Sequence, residues 1–279
     1  MKEKLYAHLA QIVRERDPYL ASEGHFFVKQ YIREELSQWG EVSTHEFTVR
    51  GQTYQNLILN LPAATQQKLP PILIGAHYDA VPGTPGADDN ATGVAVLLEL
   101  AAAFAQKPTK YPIQIVAFDM EEYGLLGSKA YAAYLKQNQQ PLRLMFSLEM
   151  LGYRSKTDNS QRYPADFLKY FYPSQGDFIA LVSNLITIPD TMRLHRSLRR
   201  SNLQCQWLSV PNNGKWIRGT GFSDHSPFWE QGYRAMMVTD TSFLRNPHYH
   251  QSSDTIDTLD GEFLTDVCRG LIAGIHRFK

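Results

Sequence analysis

The sequence predicts an α/β fold: a mainly parallel, mixed central sheet flanked by helices on both faces. Three observations carry this. Four short apolar runs, 71–76, 113–118, 142–148 and 235–238, have the length and continuity of strands buried on both faces. Helical spacing follows the first two runs, at 91–106 (Val94, Leu97, Leu98, Ala101, Ala102) and 127–137, the alternation that builds βαβ units. Each cluster of chemically suggestive residues stands just after one of the runs, where open α/β sheets place their sites.

Taken in order, residues 3–15 and 25–39 carry apolar residues at helical spacing, Phe27, Tyr31 and Leu36 among them, with Gly40 placed to end the second helix. From Glu41 to Leu61 the pattern becomes an alternation, with Gly51-Gln52 as the turn. This is a hairpin that sets 56–61 at or near a sheet edge. Residues 153–176 are polar and aromatic without a period and read as a long excursion over the site. Helical patterns are expected at 177–187 and 191–200, a weaker strand at 206–210 and a closing amphipathic helix at 260–277. No internal repeat or low-complexity tract interrupts residues 1–279, which are expected to form a single domain.

At 279 residues and 43% hydrophobic content the chain can bury a large core. Lys+Arg and Asp+Glu both number 28, so no net charge marks a nucleic-acid or membrane-surface partner. The two cysteines, Cys205 and Cys268, stand far apart and fit a reducing compartment better than a disulfide framework. The first residues alternate charged and apolar side chains without a signal-peptide core, so a cytoplasmic location is expected.

The chemistry gathers at the strand ends. His77, two residues before Asp79, can ligate a metal while Asp79 accepts its other ring N–H. Asp88-Asp89-Asn90 can cap a helix start, or one of its carboxylates can be a ligand. After the second run come Glu121 and Glu122, whose side chains diverge in a turn, so that one can bind a metal and the other address its water. Glu149 puts another oxygen donor at the same sheet edge. Ser223 and Asp224 are natural N-caps for a helix with Pro227 in its first turn. One of His248 and His250 can complete a metal site, and Tyr249 between them can donate to an oxyanion. Phe222, Phe243, Tyr153 and Arg154 are candidate pocket walls.

Together and in this order, these segments resemble the co-catalytic zinc aminopeptidases and their relatives, the family that includes glutamate carboxypeptidase and the glutaminyl cyclases. The match spans roughly 71–260. It implies His77, Asp89 and Glu149 on one zinc and Asp89, Glu122 and His250 on the other, with Asp79 orienting His77, Glu121 as general base and Tyr249 at the oxyanion. It also implies a cis peptide at Asp89–Asn90. Glu149 departs from the pattern, since the best-known dizinc members carry an aspartate there; two zinc ions are expected, and one is the alternative. The activity implied is an aminopeptidase with a peptide substrate. The rivals are a single-zinc glutaminyl cyclase and a non-catalytic binding protein on the same fold.

Overall fold

A computed structural model describes residues 1–278. Eight strands form one sheet in the order β1-β2-β4-β3-β5-β8-β6-β7. They are β1 (Val42–Val49), β2 (Gln52–Leu61), β3 (Ile72–His77), β4 (Ile113–Phe118), β5 (Leu144–Glu149), β6 (Ile179–Asn184), β7 (Cys205–Val210) and β8 (Ala235–Thr239). The pairings β3–β4, β3–β5, β5–β8 and β6–β7 are parallel; β1–β2, β2–β4 and β6–β8 are antiparallel. Every residue of β3, β4, β5, β6 and β8 is buried, which is why β3, β4, β5 and β8 read as apolar runs.

The strand pleat sorts the core into two layers. Ile72, Ile74, Ile115, Phe146 and Val238 pack with residues of α1 (Lys2–Ile12), α2 (Ser22–Ser37), α3 (Gly93–Gln106), α5 (Ile188–Arg200) and α7 (Gly261–His276). Leu73, Val116, Met145 and Met237 pack instead with residues of α4 (Leu126–Gln137) and α6 (His225–Glu230). Helix α3 is buried almost all round because it lies between the sheet and α1, α2 and α7. Among the described residues, no helix is long and apolar enough to cross a membrane.

Three expectations are corrected. Residues 177–187 are mainly strand: Ile179-Ala-Leu-Val-Ser-Asn184 is a short run buried on both faces, a length at which periodicity does not separate strand from helix. The first helix ends at Ile12 rather than 15, and 13–21 turn inward toward the sheet edge. The second ends at Ser37, and Gly40 does not cap it; a Cβ there would lie 3.0 Å from Leu59 Cδ1 on the neighbouring strand.

The excursion after β5 folds back on itself through a bridge between Ser155 and Gly176 and holds one short helical turn, Asp166–Tyr170. Leu168 of that turn is buried, while Phe167, Tyr170 and Phe171 are exposed.

Candidate metal centre

Parallel strands β3, β4, β5 and β8 end together, and that edge carries the donors. His77 is the last residue of β3 and Glu149 the last of β5. Past β4, Met120 and Leu125 adopt left-handed conformations that wind the loop back on itself. The Glu121 and Glu122 amides then donate to Asp79 Oδ1 (3.0 Å) and Oδ2 (3.1 Å). One buried carboxylate thus joins the loop after β3 to the loop after β4. His77 Nδ1 faces the same Asp79 Oδ1 at 3.4 Å, longer than the hydrogen bond the spacing suggested.

Two donor sets share Asp89. His77 Nε2 lies 3.3 Å from Asp89 Oδ1 and 3.6 Å from Glu149 Oε1. His250 Nε2 lies 3.2 Å from Asp89 Oδ2 and 3.3 Å from Glu122 Oε2. A tetrahedral zinc with bonds of ~2.0–2.1 Å sets its ligand atoms ~3.3 Å apart, the spacing found in both sets. His77 Nδ1 and Nε2, Glu122 Oε1 and His250 Nε2 are buried without a hydrogen-bond partner. Each unmet buried group costs about 1–3 kcal/mol, and an ion at each set would relieve that cost at His77 Nε2 and His250 Nε2. Imidazole and carboxylate donors in this number fit zinc.

The carboxylates respond to burial and to one another in the metal-free protein. Burial pushes Glu121 well above the usual carboxylate range, with Glu149, Glu122 and Asp224 adding to it against the pull of His77. Burial and the neighbouring Asp89 raise Glu122 to about 7. Asp89 falls below its ordinary value, because the His250 and His77 rings outweigh its burial. For His250 the same contacts run the other way: burial lowers it, but Asp89 and Glu122 bring it to about 10.

The supports around these donors are closely built. Asp88 does not cap the irregular helical turn at 87–92; its Oδ1 accepts from the Gly152 amide (2.8 Å) and its Oδ2 from Asn246 Nδ2 (2.8 Å). The Asp89–Asn90 peptide is cis. Asn90 Oδ1 accepts from Met150 N–H, and its Nδ2 donates to the Leu148 carbonyl, tying this loop to the end of β5. Asp254 takes the amides of Asp88 (2.9 Å) and Asp89 (3.1 Å).

Of the two late histidines, His250 reaches the centre, whereas His248 bonds Ser253 at the surface (2.9 Å). The Tyr249 ring stacks on His250 with centroids 3.7 Å apart. Burial, then the Asp89 and Glu122 charges, holds the Tyr249 phenol far above its ordinary value.

Ser223 and Asp224 do not cap α6. The Ser223 hydroxyl donates to Glu149 Oε2 (2.7 Å) and lies 2.8 Å from the Ser147 hydroxyl. Asp224 is fully buried, both its oxygens lack partners, and burial raises it to about 7. The run Ser-Asp-His ahead of β8 was the only signal for this pair, and helix capping accounted for it equally well.

A cleft opens beside the donors, with ≈ 900 Å³ of empty space, its open mouth included. Glu121, Glu122 and Glu149 stand at its wall together with Leu168, Phe178 and Phe243. Phe222 also lines it, as the sequence suggested, but Tyr153 and Arg154 do not. Arg154 turns away to Asp260 (2.6 Å) and Asp177 (3.4 Å).

Comparison with known proteins agrees with this architecture. The chain is 37% identical to the uncharacterized protein YfbL of Escherichia coli over 266 residues, 90% of this chain and 79% of that one. Other curated relatives carry aminopeptidase or zinc metalloprotease names, and the chain spans 28–54% of their length. Among solved structures, the LapA aminopeptidase of Legionella pneumophila superposes with a TM-score of 0.76 at 20% identity, covering 99% of this chain and 71% of that one. A glutaminyl cyclase of Tannerella forsythia superposes with a TM-score of 0.70 at 20% identity, covering 100% and 99%. At such identities these two likenesses speak to the fold, which both activities share. The model of Peptidase family M28 matches residues 56–274, a span that holds every donor named above, and the chain belongs to that family of metallopeptidases.

Proposed function

We propose that the chain is a zinc-dependent aminopeptidase, removing N-terminal residues from peptides by attack of water on the scissile carbonyl. The observation that carries this reading is the pair of donor sets joined through the two oxygens of Asp89, with buried ring nitrogens that no protein group satisfies. His77, Asp89 and Glu149 would hold one ion, and Asp89, Glu122 and His250 the other. When bound, such ions polarise a carbonyl and lower the pKa of water towards ~7.

Glu121 is the general base. A carboxylate oxygen of Glu121 lies within 4.8 Å of donor atoms of His77 and Glu122. Both donor sets that share Asp89 are complete without it. A carboxylate in that place, outside both sets, suits a group that takes a proton from water and returns it to the leaving amine. Tyr249 keeps its phenolic proton and donates it as a hydrogen bond to the developing oxyanion. The cleft walls formed by Leu168, Phe178 and Phe243 suit an apolar substrate side chain.

The test is Glu121→Gln in zinc-loaded protein, assayed on free aminoacyl substrates and on their N-blocked counterparts. Turnover should fall by ~10²–10⁴-fold with zinc content unchanged. Retained turnover sinks the assignment of Glu121, and wild-type activity confined to blocked substrates overturns the aminopeptidase. One bound ion with cyclisation of N-terminal glutamine would favour the glutaminyl cyclase instead.

A further inference from the structure

The segment between α1 and α2 lies outside residues 56–274, yet it reaches into the frame of the centre. Arg16 is completely buried. Its Nε donates to the Tyr78 carbonyl (2.9 Å), Nη1 to those of Arg14 (3.2 Å) and Pro85 (2.5 Å), and Nη2 to those of Gly86 (2.8 Å) and Asp89 (3.2 Å). Three of these five acceptors, those of Tyr78, Pro85 and Gly86, belong to the loop between His77 and the bridging ligand, and a fourth is the bridging ligand's own carbonyl. The next residue, Asp17, accepts the Tyr123 hydroxyl (2.6 Å), and Tyr123 follows Glu121 and Glu122 directly. Farther along, His25 Nε2 lies 2.7 Å from Asp119 Oδ1, and the Tyr78 hydroxyl donates to Asp119 Oδ2 (2.7 Å). One short stretch of chain therefore grips both ligand-bearing loops.

We propose that Arg16 and Asp17 form a strap that positions the metal donors, Arg16 holding the loop that carries Asp89 and Asp17 holding the loop that carries Glu121 and Glu122. This rests on the metal-centre reading above. Burying a guanidinium is unfavourable unless its donors are met, and here a planar fork spans carbonyls that a point charge on a flexible stem does not reach together. Gly86 is shaped to the same contact: its φ is +59°, and a Cβ there would lie 2.3 Å from Asp89 O and 2.8 Å from Arg16 Nη2. The carboxylates of Asp89, Asp254, Asp79 and Glu122 surround the guanidinium at longer range.

The test is zinc affinity, measured by competition with a chromophoric chelator in folded protein, for wild type, Arg16→Lys, Arg16→Met, Tyr123→Phe and Leu9→Ala. Leu9 is a buried α1 residue whose truncation destabilises by packing alone. Arg16→Lys keeps the charge and loses the fork; its zinc affinity should fall ~10–100-fold, the usual cost of removing a support behind metal ligands. Tyr123→Phe should weaken one of the two ions several-fold and spare the other, while Leu9→Ala binds zinc as wild type does at temperatures where it is folded. If Arg16→Met does not fold, Arg16→Lys and Tyr123→Phe decide. Wild-type affinity in both of those variants overturns the strap. So does a loss in Leu9→Ala equal to that in Arg16→Lys, since general loosening would then explain both. A wild-type protein that binds no zinc sinks the metal centre, and the strap's role with it.

Discussion

Replacing Ser223 with alanine separates the two donor sets. The Ser223 hydroxyl donates at 2.7 Å to Glu149 Oε2, leaving Oε1 to face His77 Nε2. Glu149 is only 6% exposed, so water has little access to replace the lost donor. A hydrogen bond to a buried charged group contributes about 1.5–3 kcal/mol. At ~1.4 kcal/mol per tenfold, Ser223→Ala should weaken the ion held by His77, Asp89 and Glu149 by roughly 10–150-fold. The ion held by Asp89, Glu122 and His250 has no contact with Ser223 and should be spared. Titrating zinc into metal-free protein by calorimetry reads both steps, and the variant should show one tight and one weakened event. Equal weakening of both, or none in either, would refute the idea that Ser223 seats the longer glutamate arm in place of an aspartate.

Three further outcomes follow from the geometry. Asp79→Asn removes the charge facing His77 and leaves one oxygen for two amides, so activity should drop ~10–100-fold with circular dichroism unchanged; wild-type kinetics would remove Asp79 from the frame. Asp190 is raised by burial but held below its ordinary value overall by Arg143 (2.6 Å) and Arg234 (3.1 Å), so its stabilisation is present above pH ~4 and is lost as pH falls through the lower folded value. Asp190→Asn should therefore destabilise the fold at neutral pH, by less than the loss of a fully buried pair because both arginines are partly exposed, and the gap from wild type in chemical denaturation should narrow in acid. In metal-free protein, His250 contributes stability fully below pH ~6.5, and that contribution disappears as pH rises through about 10. Since only the neutral ring ligates, zinc binding at pH 7 should release protons into weak buffer, and an affinity independent of pH between 6 and 8 would contradict this.

Much of the candidate centre was legible because its donor residues sit where strands stop. His77 and Glu149 end buried runs, and the Glu121-Glu122 pair follows one, so sheet direction alone gathers them at one edge. The supports left no comparable trace. Arg16 acts on backbone carbonyls, which any sequence supplies, and Asp17 acts on a tyrosine far along the chain. Ser223 and Asp224 carried a local explanation, helix capping, that the fold does not use. β6 was misread for a different reason, since a six-residue segment buried on both faces, with four apolar residues in a row, suits either kind of element equally.

The dependence of Asp89 on Asp254 also sets an order of assembly during synthesis. As the ribosome extends the chain, His77, Asp89 and Glu149 are all present once β5 has been made, so the first donor set is chemically complete early. The second waits for His250, and the amides of Asp88 and Asp89 wait for Asp254 a few residues later. Between Glu149 and His250 the nascent chain carries an Asp89 whose first set of neighbours is complete and whose second is not. The amides that fix Asp89, the residue shared by both donor sets, therefore gain their acceptor only after the second set's own histidine has been made.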